Sequence, residues 1–319
     1  MEHTLQSILR VRTPPYLFHD LVRDNSLTMI SAPPYTGKSL VLGAMMLSLD
    51  FGLPLFGKLP PQGARKVLAF LQDAPPWDYA EQIRKLSRGM NLTDDLVELS
   101  ELNVYFGKQD GSAHRITDSE TYEKIELHKP DVIIFDAFWT THDFNELDKV
   151  QMKPVMQLYK GLRDRGHSVI FTHHDKKPQQ DSQGTPLVYR SSGSHVISAA
   201  CDNQLFLSRR AGGKIAIQAG KARGGSGSLH TVEIAEVEHR DGEAIALRLL
   251  DDSETRSGKL LSFVREGERT RGEVIEYLKA IEPRLKMGTA ARAVDKTLAM
   301  LAQNGKVERV GYGKWKGKD

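Results

Sequence analysis

The run Ala32-Pro-Pro-Tyr-Thr-Gly-Lys-Ser39 constrains the chain more than any other stretch. A small residue, four variable positions and then Gly-Lys-Ser form a phosphate-loop pattern, and that pattern has meaning only between a strand and a helix. Leu27–Ser31 reads as the strand and Lys38–Leu49 as an amphipathic helix. In that setting, backbone N–H groups at the helix N-terminus meet phosphate oxygens, helped by the helix dipole. Gly37 allows close backbone approach, Lys38 reaches the terminal phosphates and the Ser39 hydroxyl can ligate Mg²⁺. Pro33 and Pro34 lack N–H donors but precede the turn, so the donors from Thr36 to Ser39 remain. Ala32, Pro33, Pro34, Tyr35, Thr36, Gly37, Lys38 and Ser39 are therefore the candidate nucleotide-binding residues. The alternative is a chance turn before a helix.

Asp131-Val-Ile-Ile-Phe-Asp136 is the second element. Four apolar residues ending in a carboxylate describe a buried strand that delivers Asp136 beside the phosphate loop. There it can hold Mg²⁺ through water, with Ser39 as the other metal residue. Without the loop the run would read as core strand alone. Further strand-like runs at Lys66–Leu71, Leu102–Phe106 and Ser168–Thr172 alternate with helix-like stretches at Tyr79–Gly89 and Val150–Arg165. In the last of these, Val150, Pro154, Met156, Leu158 and Leu162 fall near one face. Apolar strands alternating with helices predict an α/β fold with a mostly parallel sheet covered on both sides. Later strands are expected at Asn203–Leu207, Lys214–Ala219, Val232–His239 and Ala244–Leu250. Asp175–Gly193 and Ala219–Ser228 read as loops.

The single cysteine, Cys201, excludes an internal disulfide and any all-cysteine metal site, which fits a reducing, cytoplasmic setting. No apolar run approaches the roughly 18 residues that a membrane span needs, so no membrane partner is expected. The net charge of +3 is unevenly spread: Arg256–Asp319 holds 15 Lys+Arg against 8 Asp+Glu, a net +7, which leaves −4 for the rest. A basic C-terminal segment on a mildly acidic body suggests a polyanion partner, or else a solvated basic tail.

Several ordered features resemble the RecA-like ATPases of the RepA-type replicative helicases, relatives of the DnaB helicase core, across most of Pro15 to Leu250. Asp24-Asn-Ser-Leu-Thr-Met-Ile-Ser-Ala-Pro-Pro looks like that family's entry into its phosphate loop. Asp50-Phe-Gly-Leu-Pro-Leu-Phe-Gly and Lys66-Val-Leu-Ala-Phe-Leu-Gln-Asp73 are similar to its second strand and catalytic carboxylate region. Phe171-Thr-His-His-Asp-Lys-Lys177 resembles its switch strand, Arg190-Ser-Ser-Gly-Ser194 with Cys201-Asp-Asn203 its Gly/Ser turn, and Lys221-Ala-Arg223-Gly-Gly its late basic pair.

The resemblance implies ATP and Mg²⁺ as ligands and a ring-forming homo-oligomer, a hexamer, on single- or double-stranded DNA. Lys221 and Arg223 would reach a neighbouring subunit's nucleotide, and His173 would sense the γ-phosphate. A Glu should polarise the attacking water, but Gln72 stands at its position with Asp73 beside it. A neutral amide can orient water but accepts no proton as a carboxylate does. Either Asp73 substitutes, or hydrolysis is slow, or the chain works by ATP-dependent assembly. His173, His174 and Asp175 could suggest a metal site, but adjacent strand residues face opposite ways.

Asp251–Gly258 reads as a linker, with the domain boundaries expected at 1–250, 251–260 and 261–319. In the last part Thr270 is a plausible cap for a helix to Ile281, with Val274, Ile275 and Leu278 inward. Gly288–Gln303 reads as a second helix, followed by two short strands around Gly311-Tyr-Gly. This order resembles a winged helix. Arg292, Lys296, Arg309, Lys314 and Lys316 would contact DNA phosphates there, unless the module binds protein or lids the ATPase. Lys176, Lys177 and Arg190 on the central loop are candidates to track single-stranded DNA. The expectation is an ATP-dependent DNA motor, the alternatives being a weakly hydrolysing assembly switch and a small-molecule phosphotransferase.

Overall fold

The computed structural model describes residues 12–18, 21–108, 110–174, 195–210, 213–222, 231–238, 242–251, 255–283, 285–303, 305–311 and 313–318, together with 5, 9 and 10. They fall into two compact units: Met1–Arg209 with Ile215–Arg248, and Arg210–Lys214 with Leu249–Asp319. Among the described residues no helix is long and apolar enough to cross a membrane.

The first unit begins with a small antiparallel pair, β1 (Tyr16–Phe18) and β2 (Val22–Arg23). Then follow β3 (Leu27–Ala32), α1 (Lys38–Phe51), β4 (Val67–Leu71), α2 (Pro76–Gly89), α3 (Asp94–Glu98), β5 (Asn103–Tyr105), α4 (Ser119–His128) and β6 (Val132–Asp136). A 3-10 turn at Phe138–Thr141 leads to α5 (Lys149–Asp164), β7 (Ser168–His174), α6 (His195–Ala200), β8 (Asn203–Arg209), β9 (Lys214–Ala222), β10 (Thr231–Glu238) and β11 (Ile245–Leu249). The nine-stranded sheet runs β11-β10-β9-β8-β3-β7-β6-β4-β5. From β8 to β5 every pairing is parallel, and β9 turns back antiparallel to β8. This mixed, mostly parallel α/β sheet flanked by helices is the layering expected of a RecA-like chain. It sets β7 between the strand that enters the phosphate loop and the strand that ends in Asp136.

Strand alternation divides the core. Leu27, Met29, Leu68, Phe70, Ile133, Phe135, Val169 and Phe171 pack with α4, α5 and α6 in one cluster. The opposite face carries α1 and α2. Asp202, ahead of β8, secures the sheet where β3 starts: its carboxylate accepts the Leu27 N–H at 3.0 Å and is paired with Arg163 at 2.9 Å.

Two helices differ from their expected faces. Residue for residue, α1 is buried from Leu40 to Asp50, so it is not amphipathic. It lies between the sheet and α2, close enough that a Cβ at Gly43 would stand 2.8 Å from Leu86 Cδ1. In α5 the buried side chains are Met152, Val155, Met156, Tyr159 and Leu162. Val150 is 81% exposed and Pro154 is exposed as well. The 3.6-residue period counts from Met152, and a residue two positions earlier points nearly the opposite way.

The second unit has α7 (Arg256–Arg265), β12 (Arg269–Thr270), α8 (Arg271–Ile281), α9 (Met287–Gln303), β13 (Val307–Gly311) and β14 (Lys314–Gly317). Its three-stranded sheet has the order β12-β14-β13 and is antiparallel throughout. Thr270 caps α8 in a capping box with Glu273. Val274, Ile275, Leu278, Val294, Leu298 and Leu301 form its core, as expected, and Leu260 and Val264 of α7 join them. Residues 256–260, assigned to the linker on sequence, thus belong to a core-bearing helix, because the Gly and Ser in Arg256-Ser-Gly-Lys-Leu-Leu mask a short apolar stripe.

The end of α2 sets a strict steric limit. A Cβ at Gly89 would lie 2.0 Å from the Ile245 carbonyl oxygen, whereas one at Gly161 in α5 meets nothing within 4 Å. Gly89→Ala should destabilise the first unit by roughly 1–3 kcal/mol, and Gly161→Ala should stabilise it by about 0.5–1 kcal/mol through helix propensity. Thermal unfolding of both variants checks the difference in sign.

Candidate functional site

The phosphate loop leaves β3 at Ala32 and turns into α1 at Lys38. Gly37 takes φ +94° as the helix cap, a left-handed conformation that suits glycine. Space alone also demands glycine, since a Cβ there would stand 2.8 Å from Ile215 Cδ1. Tyr35 has φ +60° and presents its ring to solvent at 97% exposure. The loop is braced by the Thr36 hydroxyl donating to the Pro33 carbonyl at 2.6 Å and by Arg209 Nε donating to the Tyr35 carbonyl at 3.4 Å. The first N–H groups of α1, from Lys38 and Ser39 onward, have no partner within the helix and face the turn.

Lys38 is buried, and its Nζ lies 3.5 Å from His174 Nε2 and 3.9 Å from Asp73 Oδ2. Asp73 is the meeting point. His174 Nε2 stands 3.4 Å from its Oδ2, and the Trp139 indole N–H donates to its Oδ1 at 2.8 Å. The Asp73 backbone N–H donates to the Tyr79 hydroxyl at 3.1 Å. That hydroxyl donates in turn to Asp136 Oδ2 at 2.8 Å, and the Thr172 hydroxyl donates to Asp136 Oδ1. One network therefore joins the loop lysine, the end of β4, the end of β7 and the carboxylate at the end of β6.

The two carboxylates sit in opposite electrostatic settings. The hydrogen bond with His174 holds Asp73 below the usual carboxylate range against its partial burial, helped by the Trp139 N–H and Lys38. Burial pushes Asp136 up, and Lys38 with the two hydroxyls only partly offsets it. Burial and the neighbouring Asp136 carboxylate push the Tyr79 phenol well above its ordinary value. No described lysine or arginine lies within ion-pair distance of Asp136. A buried carboxylate held only by hydroxyls, near a helix-start serine, is a donor set that suits a hard divalent cation. Ser39 and Asp136 would hold Mg²⁺ here, and the ion would supply charge neutralisation of the phosphates.

Gln72 does not face Lys38. Its side-chain amide makes a two-way bond with the backbone of His114, accepting from the N–H at 2.5 Å and donating to the carbonyl at 3.2 Å. Its own backbone N–H donates to the Asp136 carbonyl at 2.5 Å. Gln72 thus ties down the segment after β5, and the neighbouring Asp73 carries the carboxylate into the site.

His173 and His174 separate across β7. His174, with Thr172, lies on the face of Lys38. His173, expected beside the γ-phosphate, points to the other face, where its Nε2 lies 3.2 Å from Glu146 Oε2 and its ring packs 5.6 Å from Phe138. Burial alone would raise Glu146, but contact with His173 outweighs it and keeps the carboxyl below its usual range. No group of three or more His, Cys, Asp or Glu among the described residues is placed to hold a metal. Sequence reasoning missed Trp139, Tyr79, Thr172 and Arg209. The available signal was their position: each lies just after a strand of the sheet, one turn into the following helix or at a strand end.

Lys221 stands in β9, with its side chain outside the described atoms; Arg223, Lys176, Lys177 and Arg190 lie outside the described residues. In the second unit Arg292 and Lys296 are exposed one turn apart on α9. Lys314 and Lys316 are exposed on one face of β14, where Lys316 opposes Glu308, while Arg309 opposes the half-buried Trp315 on the other face.

Residues 5–180 match the AAA_25 family model, described as an AAA domain. The chain belongs to this family. Family membership and the loop geometry together make it an ATPase chain of the AAA kind. Among solved structures it is similar to one described as the ATPase domain of a helicase, with 13% identity and a TM-score of 0.48 over 72% of this chain and 87% of that one. No curated protein matches it.

Two outcomes follow from the two carboxylate-region roles. Because Asp136 titrates higher when folded than unfolded, its ionisation lowers stability as pH rises through the ordinary carboxylate range. Asp136→Asn should therefore raise the melting temperature of the nucleotide-free chain at neutral pH, with the gain vanishing in acid, while abolishing Mg²⁺-dependent nucleotide binding. Gln72→Glu should not speed hydrolysis, since its side chain is aimed at His114. It should instead destabilise by about 1–3 kcal/mol, because a carboxylate cannot donate to the His114 carbonyl; denaturant unfolding and steady-state turnover check both.

Proposed function

We propose that the chain is a Mg²⁺-dependent ATPase motor of the DNA helicase or translocase type, acting as a homo-oligomeric ring. The observation that carries the hydrolytic part is the convergence of Lys38, Asp73 and His174 beside the buried Asp136. In this reading ATP lies over the phosphate loop, with Lys38 and the N–H groups of Thr36 to Ser39 on its phosphates. Asp73 takes the role that the missing Glu would have had. Its Oδ2 orients a water, the water oxygen bonds to the γ-phosphorus, the bond to the β–γ bridging oxygen breaks with its electron pair left on ADP, and the released proton passes to solvent. Kept ionised by His174, Asp73 serves to align the water more than to store its proton. His174 replaces His173 as the residue that would read the terminal phosphate.

The polynucleotide part rests on the second unit. Its order of helix, strand, two helices and a β-ribbon supports reading it as a winged helix, with Arg292 and Lys296 on α9 and Arg309, Lys314 and Lys316 on the ribbon set against DNA phosphates. Lys176, Lys177 and Arg190 would follow single-stranded DNA, and Lys221 and Arg223 would complete a neighbour's nucleotide site in trans. The plasmid, phage or mobile-element setting and a cytoplasmic location belong to the same proposal. A second reading, a slow ATP switch that assembles on DNA or a partner, is favoured by the engagement of Gln72 with His114, which leaves a single carboxylate for the water.

ATP hydrolysis by the purified chain with and without single-stranded DNA, with its mass distribution in ATP, separates the two readings. The motor predicts oligomers and turnover stimulated by DNA at least about tenfold and lost in Lys38→Ala, as expected when phosphate positioning is removed. Assembly in ATP with unstimulated turnover selects the switch, and no ATP binding overturns both.

A further inference from the structure

Trp139 is an anomaly of the surface. It follows the Asp136 strand in the 3-10 turn Phe138–Thr141, and its large apolar ring is left 54% exposed. Its backbone platform is nonetheless rigid. Phe138 before it is buried against Phe171 at 5.0 Å and Tyr159 at 5.5 Å. After it, the Thr140 hydroxyl donates to the Ala137 carbonyl at 2.7 Å and the Thr141 hydroxyl to the Phe138 carbonyl at 2.6 Å. An indole has one donor and no acceptor, and here that donor is spent on Asp73 Oδ1 at 2.8 Å.

The bond makes the two Asp73 oxygens unequal. Oδ1 is anchored to a fixed turn, and the backbone N–H of Asp73 is anchored to Tyr79. Oδ2 alone faces Lys38 and His174. A reacting group aligned by a partner that never meets substrate is the general arrangement of oriented catalytic side chains. Aspartate is one methylene shorter than the glutamate it stands in for, so its carboxylate has less reach and a narrower range of useful orientations.

We propose that Trp139 is a positioning residue for hydrolysis, its indole N–H fixing the Asp73 carboxylate so that Oδ2 addresses the water attacking the terminal phosphate. This rests on the assignment of Asp73 in the preceding section and adds the partner that makes it effective. Trp139 itself touches neither nucleotide nor water.

A double-mutant cycle on the full-length chain tests it, with kcat and KM for ATP measured for wild type, Trp139→Phe, Asp73→Asn and the double variant. Trp139→Phe keeps the ring and removes the donor; it should lower kcat about tenfold or more, within the range for a misaligned catalytic group, and leave KM within about twofold. In the Asp73→Asn background the same substitution should have no further effect, since its partner is gone. Unchanged kcat in Trp139→Phe, or losses that multiply in the double variant, overturns the positioning role while leaving Asp73 in place. Unchanged kcat in Asp73→Asn overturns the Asp73 assignment and this inference together, as does a wild-type chain without Lys38-dependent hydrolysis. Melting temperatures confirm that the variants fold, and a fall in Tm with unchanged kcat counts against the proposal.

Discussion

A buried carboxylate without a cation beside it, Asp136, sets the terms for the rest of the first unit. Burial works against its ionisation, and only two hydroxyls, from Tyr79 and Thr172, answer its oxygens. Those hydroxyls come from α2 and β7, so the carboxylate binds together the strand that bears it, the strand beside it and the helix above it. The Tyr79 hydroxyl also receives the Asp73 N–H, which makes the position of Asp73 a consequence of the same contact. A site that stores an unneutralised charge in this way is strained toward accepting a cation. Its stability and its chemistry are opposed.

The end of β4 shows how two neighbouring residues divide a role. A strand end offers successive side chains to opposite sides. Gln72 goes to the loop after β5 and Asp73 to Lys38, so the amide secures structure and the carboxylate meets the phosphate loop. Sequence alignment by motif placed the amide at the chemical position; the geometry places its neighbour there.

Much of this was legible beforehand. The phosphate loop, the buried strand to Asp136, the parallel sheet and the capped helix at Thr270 all follow from local pattern, because each depends on residues close together in the chain. The face of α5 and the nearly complete burial of α1 did not, since what covers a helix depends on neighbours distant in sequence. The choice between His173 and His174 was open for a related reason: alternation says that the pair divides, but only the register of β7 against β3 and β6 says which member faces Lys38. Trp139 carried no motif at all, and its role emerges only when Asp73 is brought to within 2.8 Å of it.

The divided pair on β7 has a mechanical corollary. His173 and His174 share one backbone, stiffened by parallel neighbours on both sides, and each grips a different layer of the molecule. One holds the Lys38–Asp73 group above the sheet; the other holds Glu146 below it, in the segment that carries the exposed Phe144 and Leu147. A rigid rod clamped on both faces transmits displacement without dissipating it in side-chain motion. In this protein the sheet is less a partition between two layers than an axle through them.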